Sequence, residues 1–184
     1  MAAPFVDRPR MQSYGVPADP DGLLPWCWAR YRLERSRNFG LCTVTPQGHP
    51  HSLPVWAVWL DDRSEFFFSC ATDSRKAINL ASNPHVVLSN DDLVEVISVE
   101  GIARPVTGPE TRGPIAAYVA KYAPLAEGTT PEELAGFVRC NSMFLVRAER
   151  AFGIIERPEE FSQRATRWRW RSATPTTTFP TTDD

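Results

Sequence analysis

The sequence predicts a mainly β domain: an antiparallel barrel of six or seven strands carrying a few helices. Three observations predict it. Short stretches rich in Val, Phe, Trp and Thr recur between hairpin-length breaks such as Pro46-Gln47-Gly48 and Asp61-Asp62-Arg63-Ser64. Leu93, Glu95, Ile97 and Val99 alternate with a period of two. No G-x-G-x-x-G joins a strand to a helix, which argues against a dinucleotide-binding layered sheet and leaves a barrel as the better architecture.

The elements follow in order. Residues 1–22 are rich in Pro, Asp and Gly and read as an irregular N-terminal arm. Residues 23–171 form the folded body, and the Thr- and Pro-rich 172–184 read as a disordered tail. A helix is expected over Leu23–Arg37, with Leu23, Leu24, Cys27, Tyr31 and Leu33 on one face and Pro25 in its first turn. Strands are expected at Asn38–Thr45, Pro50–Leu60 and Glu65–Ala71. A helix capped by Ser74 should run to Ser82, stopped by Asn83-Pro84. Strands His85–Asn90 and Leu93–Val106, helices Thr111–Tyr122 and Pro131–Val138, and strands Ser142–Glu156 and Ala165–Arg171 complete the chain.

At 184 residues the chain can bury one sizeable core. Its net charge of −2 gives no electrostatic footprint for nucleic acid. No apolar run reaches the roughly 18 residues of a membrane span, and MAAPFVDRPR has no secretion-signal core, so a cytoplasmic location is expected. Cys27, Cys42, Cys70 and Cys140 form no metal-binding spacing, nor do His49, His51 and His85, so no metal site is expected. The basic residues are 18 Arg against only Lys76 and Lys121, which singles out each lysine.

Ser74-Arg75-Lys76 combines open helix-start amides with a hydroxyl, a guanidinium and an ammonium. That set of donors suits a phosphate. Asn79, one turn later, is placed to brace the loop and is counted with the cofactor-binding residues. By itself the triplet is also what a capped, solvated surface helix would show. The apolar strand Phe66-Phe67-Phe68 and the tryptophans Trp56 and Trp59 before it favour a planar ring on a phosphorylated tail. Trp56 is the one expected to be partly exposed.

TVTPQGHPHSLPVWAVW, FFFSCATDSRKAINLASNP, VEGIARPV and the closing ATRWRW resemble the pyridoxamine 5'-phosphate oxidase-like split barrels, which include flavin- and deazaflavin-dependent oxidoreductases. The resemblance covers about residues 25–171. It implies a split β-barrel of the FMN-binding type, with FMN or coenzyme F420 as cofactor. It implies that His51, Ser52, Leu53, Pro54, Val55 and Trp56 lie along the cofactor ring, partly through backbone. Ser69 and Cys70 would meet the ribityl or phosphate region, and Ser74, Arg75 and Lys76 match the phosphate-binding positions. It further implies a homodimer with the cofactor between subunits, completed near Trp168 and Trp170 of the other chain.

Two features of the vitamin-processing oxidases are missing. Val96 stands where they often carry a glutamine, and their C-terminal Arg-and-His substrate signature is absent. The resemblance therefore implies cofactor binding without implying pyridoxine-phosphate oxidation. The expected activity is hydride transfer from reduced F420 to a small organic substrate. An FMN-dependent oxidase or reductase is the alternative, and a non-catalytic cofactor- or heme-binding barrel is a further one. Hydride transfer needs no dedicated acid–base pair. His51 is either a hydrogen-bond donor to the ring or a surface histidine beside a turn.

Overall fold

A computed structural model describes residues 4–170. The predicted tail, 172–184, lies outside the described residues. The arm is less irregular than expected, because Phe5–Asp7 forms a strand, β1. Helix α1 then spans Trp26–Arg35. Strands β2 (Phe39–Val44), β3 (Pro50–Val55), β4 (Ala57–Leu60) and β5 (Glu65–Cys70) follow. Helix α2 is Arg75–Ser82. Strands β6 (His85–Asn90) and β7 (Glu95–Pro105) precede α3 (Arg112–Tyr122) and α4 (Pro131–Arg139). The long β8 (Ser142–Ile155), α5 (Pro158–Arg164) and β9 (Thr166–Arg169) close the chain.

All pairings are antiparallel. The barrel path runs β3-β2-β6-β7-β8-β5-β4. Beyond residue 149, β8 exchanges its partner β5 for β9, and β1 pairs on the far side of β9. Among the described residues β3 and β4 do not pair with each other, although only Trp56 separates them in the chain. The barrel is split at that point. The expected single strand Pro50–Leu60 is therefore two strands, which, with β1, raises the expected six or seven strands to nine among the described residues.

The three phenylalanines of β5 show why that strand reads as an unbroken apolar run. All are fully buried, but Phe66 and Phe68 join the main core while Phe67 joins a second cluster under α3 and α4. A strand covered on both faces loses its alternation.

Helix α1 is shorter than expected. Pro25 is its N-cap rather than a first-turn residue, and Cys27 and Tyr31 are exposed; only Ala29 and Leu33 are buried. Leu23 and Leu24 leave the helix because the Leu24 amide bonds the Thr166 hydroxyl at 2.8 Å. Helix α5, unmarked by any apolar period, was not anticipated.

Side chains far apart in sequence fix the arm. The buried Arg8 guanidinium donates to the carbonyls of Asp19 and Ala165, at 3.0 and 2.9 Å, and to that of Asp21. Asp7 accepts from Arg167 at 2.8 and 2.9 Å and from Arg169 at 2.7 Å.

Candidate functional site

Helix α2 opens the site. The Ser74 hydroxyl caps it, accepting from the Ala77 amide at 3.4 Å. The amides of Arg75 and Lys76 belong to the first turn, which has no intrahelical partners. Arg75 is exposed and Lys76 half-buried, and among the described residues neither side chain makes an ion pair. Two uncompensated cations beside open amides are what a phosphate requires. The residues present therefore fit the phosphate end of FMN or F420.

Two sets of contacts fix this helix start relative to the barrel. On one side the Cys70 thiol meets Ser74. Burial pushes that thiol up, against the Ser74 hydrogen bond and the Lys76 charge. The loop before Ser74 is held as Ser142 Oγ lies 3.1 Å from Thr72 Oγ1. On the other side Asn79 Nδ2 donates to Thr43 Oγ1 at 2.9 Å, and Thr43 Oγ1 sits 3.5 Å from the His51 carbonyl. This corrects the expectation for Asn79. It is 1% exposed, so it braces β2 and β3 from beneath and presents almost no surface to a ligand.

Strand β3 supplies an open edge beside that helix, since β2 is its only neighbour among the described residues. The Thr45 amide bonds the His49 carbonyl at 2.9 Å, which sets the phase of the ladder. By alternation His51, Leu53 and Val55 turn their backbone groups toward β2, while residues 50, 52 and 54 turn theirs outward. Positions 50 and 54 are prolines without an N–H. Ser52 thus offers the outward amide of this edge.

The side chains divide as well. His51, Leu53 and Val55 lie opposite the buried Thr43, Leu41 and Phe39, on the core face. Leu53 remains 48% exposed there because the barrel is split, whereas Val55 is buried. Ser52 and Pro54 face the opposite way and are exposed. A ring lying on this edge therefore meets backbone and only some of the residues 51–56.

From the phosphate end an aromatic row leads to Trp56. Ser69, half-buried at the end of β5, bonds the Tyr118 hydroxyl, whose pKa burial pushes up to about 12. Tyr118 packs on Tyr122 at 4.7 Å between centroids. Tyr122 stacks on Trp56 at 4.6 Å with an interplanar angle of 2°. The Tyr122 hydroxyl accepts from the Ala57 amide at 2.9 Å and lies 2.8 Å from the carbonyls of Arg37 and Ala57. Burial holds its pKa well above the ordinary tyrosine range.

Lys121 Nζ donates to the same Ala57 carbonyl at 3.1 Å and lies over the Phe39 and Tyr122 rings. Trp56 is half-buried, as expected, and borders a cleft of about 510 Å³ with Thr129, Glu133, Leu134 and Phe137. Nothing in the sequence marks Tyr118, Lys121 or Tyr122 as members of this neighbourhood. Their spacing reads only as one side of a helix.

Trp168 is a correction. It is 1% exposed and packs edge-on against Trp26, at 5.6 Å, inside its own barrel. The period of β9 turns it inward, so it is not presented to a second chain.

The fold and the phosphate helix together match known proteins. The family model for pyridoxamine 5'-phosphate oxidase matches residues 29–139. The chain belongs to the pyridoxamine 5'-phosphate oxidase family. Solved structures of this family's split barrel resemble it at low identity. A conserved hypothetical protein from Mycobacterium tuberculosis has a TM-score of 0.61 at 20% identity, over 87% of this chain and 98% of that one. A structure described as an F420 reductase has a TM-score of 0.52 at 22% identity, over 66% and 94%. The heme storage protein HutZ from Vibrio cholerae has a TM-score of 0.54 at 17% identity, over 66% and 87%. No curated protein matches the chain significantly in sequence. Among the described residues no helix is long and apolar enough to cross a membrane.

Proposed function

We propose that this protein is a cofactor-dependent oxidoreductase, an F420H2-dependent reductase in the first instance and an FMN-dependent enzyme in the second. The observation that carries the reading is the uncompensated Ser74-Arg75-Lys76 helix start, tied through Asn79 and Thr43 to the open edge of β3. One end receives a phosphate and the other a flat ring. When bound, the flavin or deazaflavin supplies hydride chemistry. The chain's own residues bind and orient: Arg75 and Lys76 neutralise the phosphate, the Ser52 amide meets the ring edge, and Trp56, held by Tyr122, flanks its far end and leaves that end open to the cleft. Binding of heme, the other possibility in this fold, would leave the phosphate triplet without a role.

A ring on the β3 edge of one subunit would be half wet, so we also infer that a second copy covers it. Sedimentation of the purified protein tests this, and a monomer with full cofactor affinity removes it.

The decisive experiment is titration with FMN and with F420. Charge-assisted hydrogen bonds to phosphate contribute about 1.5–3 kcal/mol each. Arg75→Ala and Lys76→Ala should each weaken the preferred cofactor about ten- to a hundredfold, with the melting temperature kept. Unchanged affinity in both variants overturns the reading. FMN binding without F420 binding moves the assignment to the second cofactor.

A further inference from the structure

We propose that the cleft beyond Trp56 is the subsite for the hydride acceptor, and that it selects a planar aromatic acceptor that is neutral or cationic. The inference rests on the oxidoreductase reading for the word acceptor; the ligand chemistry is read from the cleft itself.

Tyr122 covers one face of the Trp56 indole in parallel stacking. Tyr122 is itself fixed by its hydroxyl between the Ala57 amide and two carbonyls. The indole is therefore a rigid platform, and what it leaves uncovered borders the cleft. Phe137, 64% exposed on α4, and Leu134 supply a second apolar wall. An exposed phenylalanine beside a half-exposed tryptophan leaves apolar surface that a flat ring would cover. The cleft is open and has a volume of about 510 Å³, which gives a planar ring room to lie against the indole with its outer edge in solvent.

Charge narrows the choice. Among the described residues lining the cleft no side chain is cationic, and one, Glu133, is anionic. Glu133 accepts from the Thr130 amide at 2.8 Å, which holds its carboxyl below the usual range and keeps it ionised. An anion in this cleft would face that carboxylate unpaired. A cation would gain both the carboxylate and the indole face.

The polarity of the site is thus divided. Cations mark the helix α2 end, where the cofactor's phosphate belongs, and a carboxylate marks the Trp56 end. A single anionic molecule suits only the first, which separates cofactor from acceptor.

The test uses the full chain and three planar tricycles: 9-aminoacridine as cation, acridine as neutral ring and anthracene-2-carboxylate as anion. Their fluorescence is titrated with protein, free and saturated with FMN. Both acridines should bind, and the carboxylate at least tenfold more weakly. Trp56→Leu should weaken the acridines at least tenfold and Trp56→Phe less. Glu133→Gln keeps the capping geometry and should narrow the difference between cation and anion. FMN should not displace the acridines.

Acridine binding that ignores Trp56→Leu, equal affinity for the anion, or one-for-one displacement by FMN overturns the proposal. Those failures are distinct from failure of the cofactor reading, which is read from Arg75→Ala and Lys76→Ala with FMN or F420. Either result can stand without the other.

Discussion

Lys121 is one of two lysines in the chain, and it sits where an ammonium is poorly hydrated. Its hydrogen bond goes to a carbonyl and two aromatic rings lie beneath it. Burial lowers its pKa to about 8, against the favourable charges of Asp91 and Glu34. Between that value and its ordinary 10.5, the unfolded chain binds a proton that the folded chain has lost. Stability must then rise with pH over this window. Tyr118 and Tyr122 act oppositely. Their folded pKa values lie above the ordinary 10.0, so above that pH the unfolded state sheds protons first and stability falls. Urea unfolding from pH 7 to 11 should therefore show a gain starting near 8 and a reversal near 10. Lys121→Met should lose the gain and keep the reversal, since the Tyr122 hydroxyl still holds Ala57. Parallel profiles for the two proteins would refute this account of Lys121.

At the scale of elements, β8 shows how small residues make room for a large one. Ala151 lies opposite Trp168 in the ladder, and Gly153 is two residues on. A Cβ on Gly153 would come 2.6 Å from the Trp168 ring and 3.2 Å from Trp28. Both rings are packed and cannot retreat. Gly153→Ala should cost about 1–3 kcal/mol through overpacking, read by urea unfolding. Gly136→Ala in α4, where a Cβ meets nothing within 4 Å, should be neutral or stabilising by about 0.5–1 kcal/mol. If Gly153→Ala is as stable as the wild type, the packing of β9 on β8 is looser than these contacts imply.

The same elements show what the sequence discloses. The composition of β2, the alternation of β7 and the breaks at Gly48 and Asp61–Ser64 are local, and they are legible. So was the Ser74 cap, because capping depends on neighbours three residues away. The end of β3 at Trp56 was not, since it reflects the Tyr122 and Lys121 contacts to Ala57, more than 60 residues distant. The β1 pairing depends on Asp7 meeting Arg167 and Arg169 across nearly the whole chain. Periodicity places Asn79 on the phosphate helix but does not say which neighbour its side chain meets, and that neighbour is Thr43.

For the molecule as a whole, the sheet separates two cores of unequal reach. The main cluster lies inside the barrel and includes Leu33, Phe39, Leu88, Ile97 and Trp168. The second lies between the outer face of β4, β5 and β8 and the pair α3–α4, with Phe67, Tyr118, Tyr122, Leu134, Val138 and Leu145. The Trp56 cleft is built on this second cluster, so its shape depends on a lobe that the barrel does not need in order to close. A lobe with its own smaller core should open at lower free energy than the barrel. Val138 is fully buried and belongs only to the second cluster. Val138→Ala should remove about 1–3 kcal/mol. In hydrogen exchange its first effect should be faster exchange in α3 and α4, while β6 and β7 keep their protection under native conditions. Acridine affinity should fall in this variant and FMN affinity should hold, because α2 and β3 are fixed by Asn79, Thr43 and Cys70 rather than by the lobe. Uniform acceleration across β6 and β7 would instead mean that the two cores melt as one unit, and that the cleft is as rigid as the barrel beneath it.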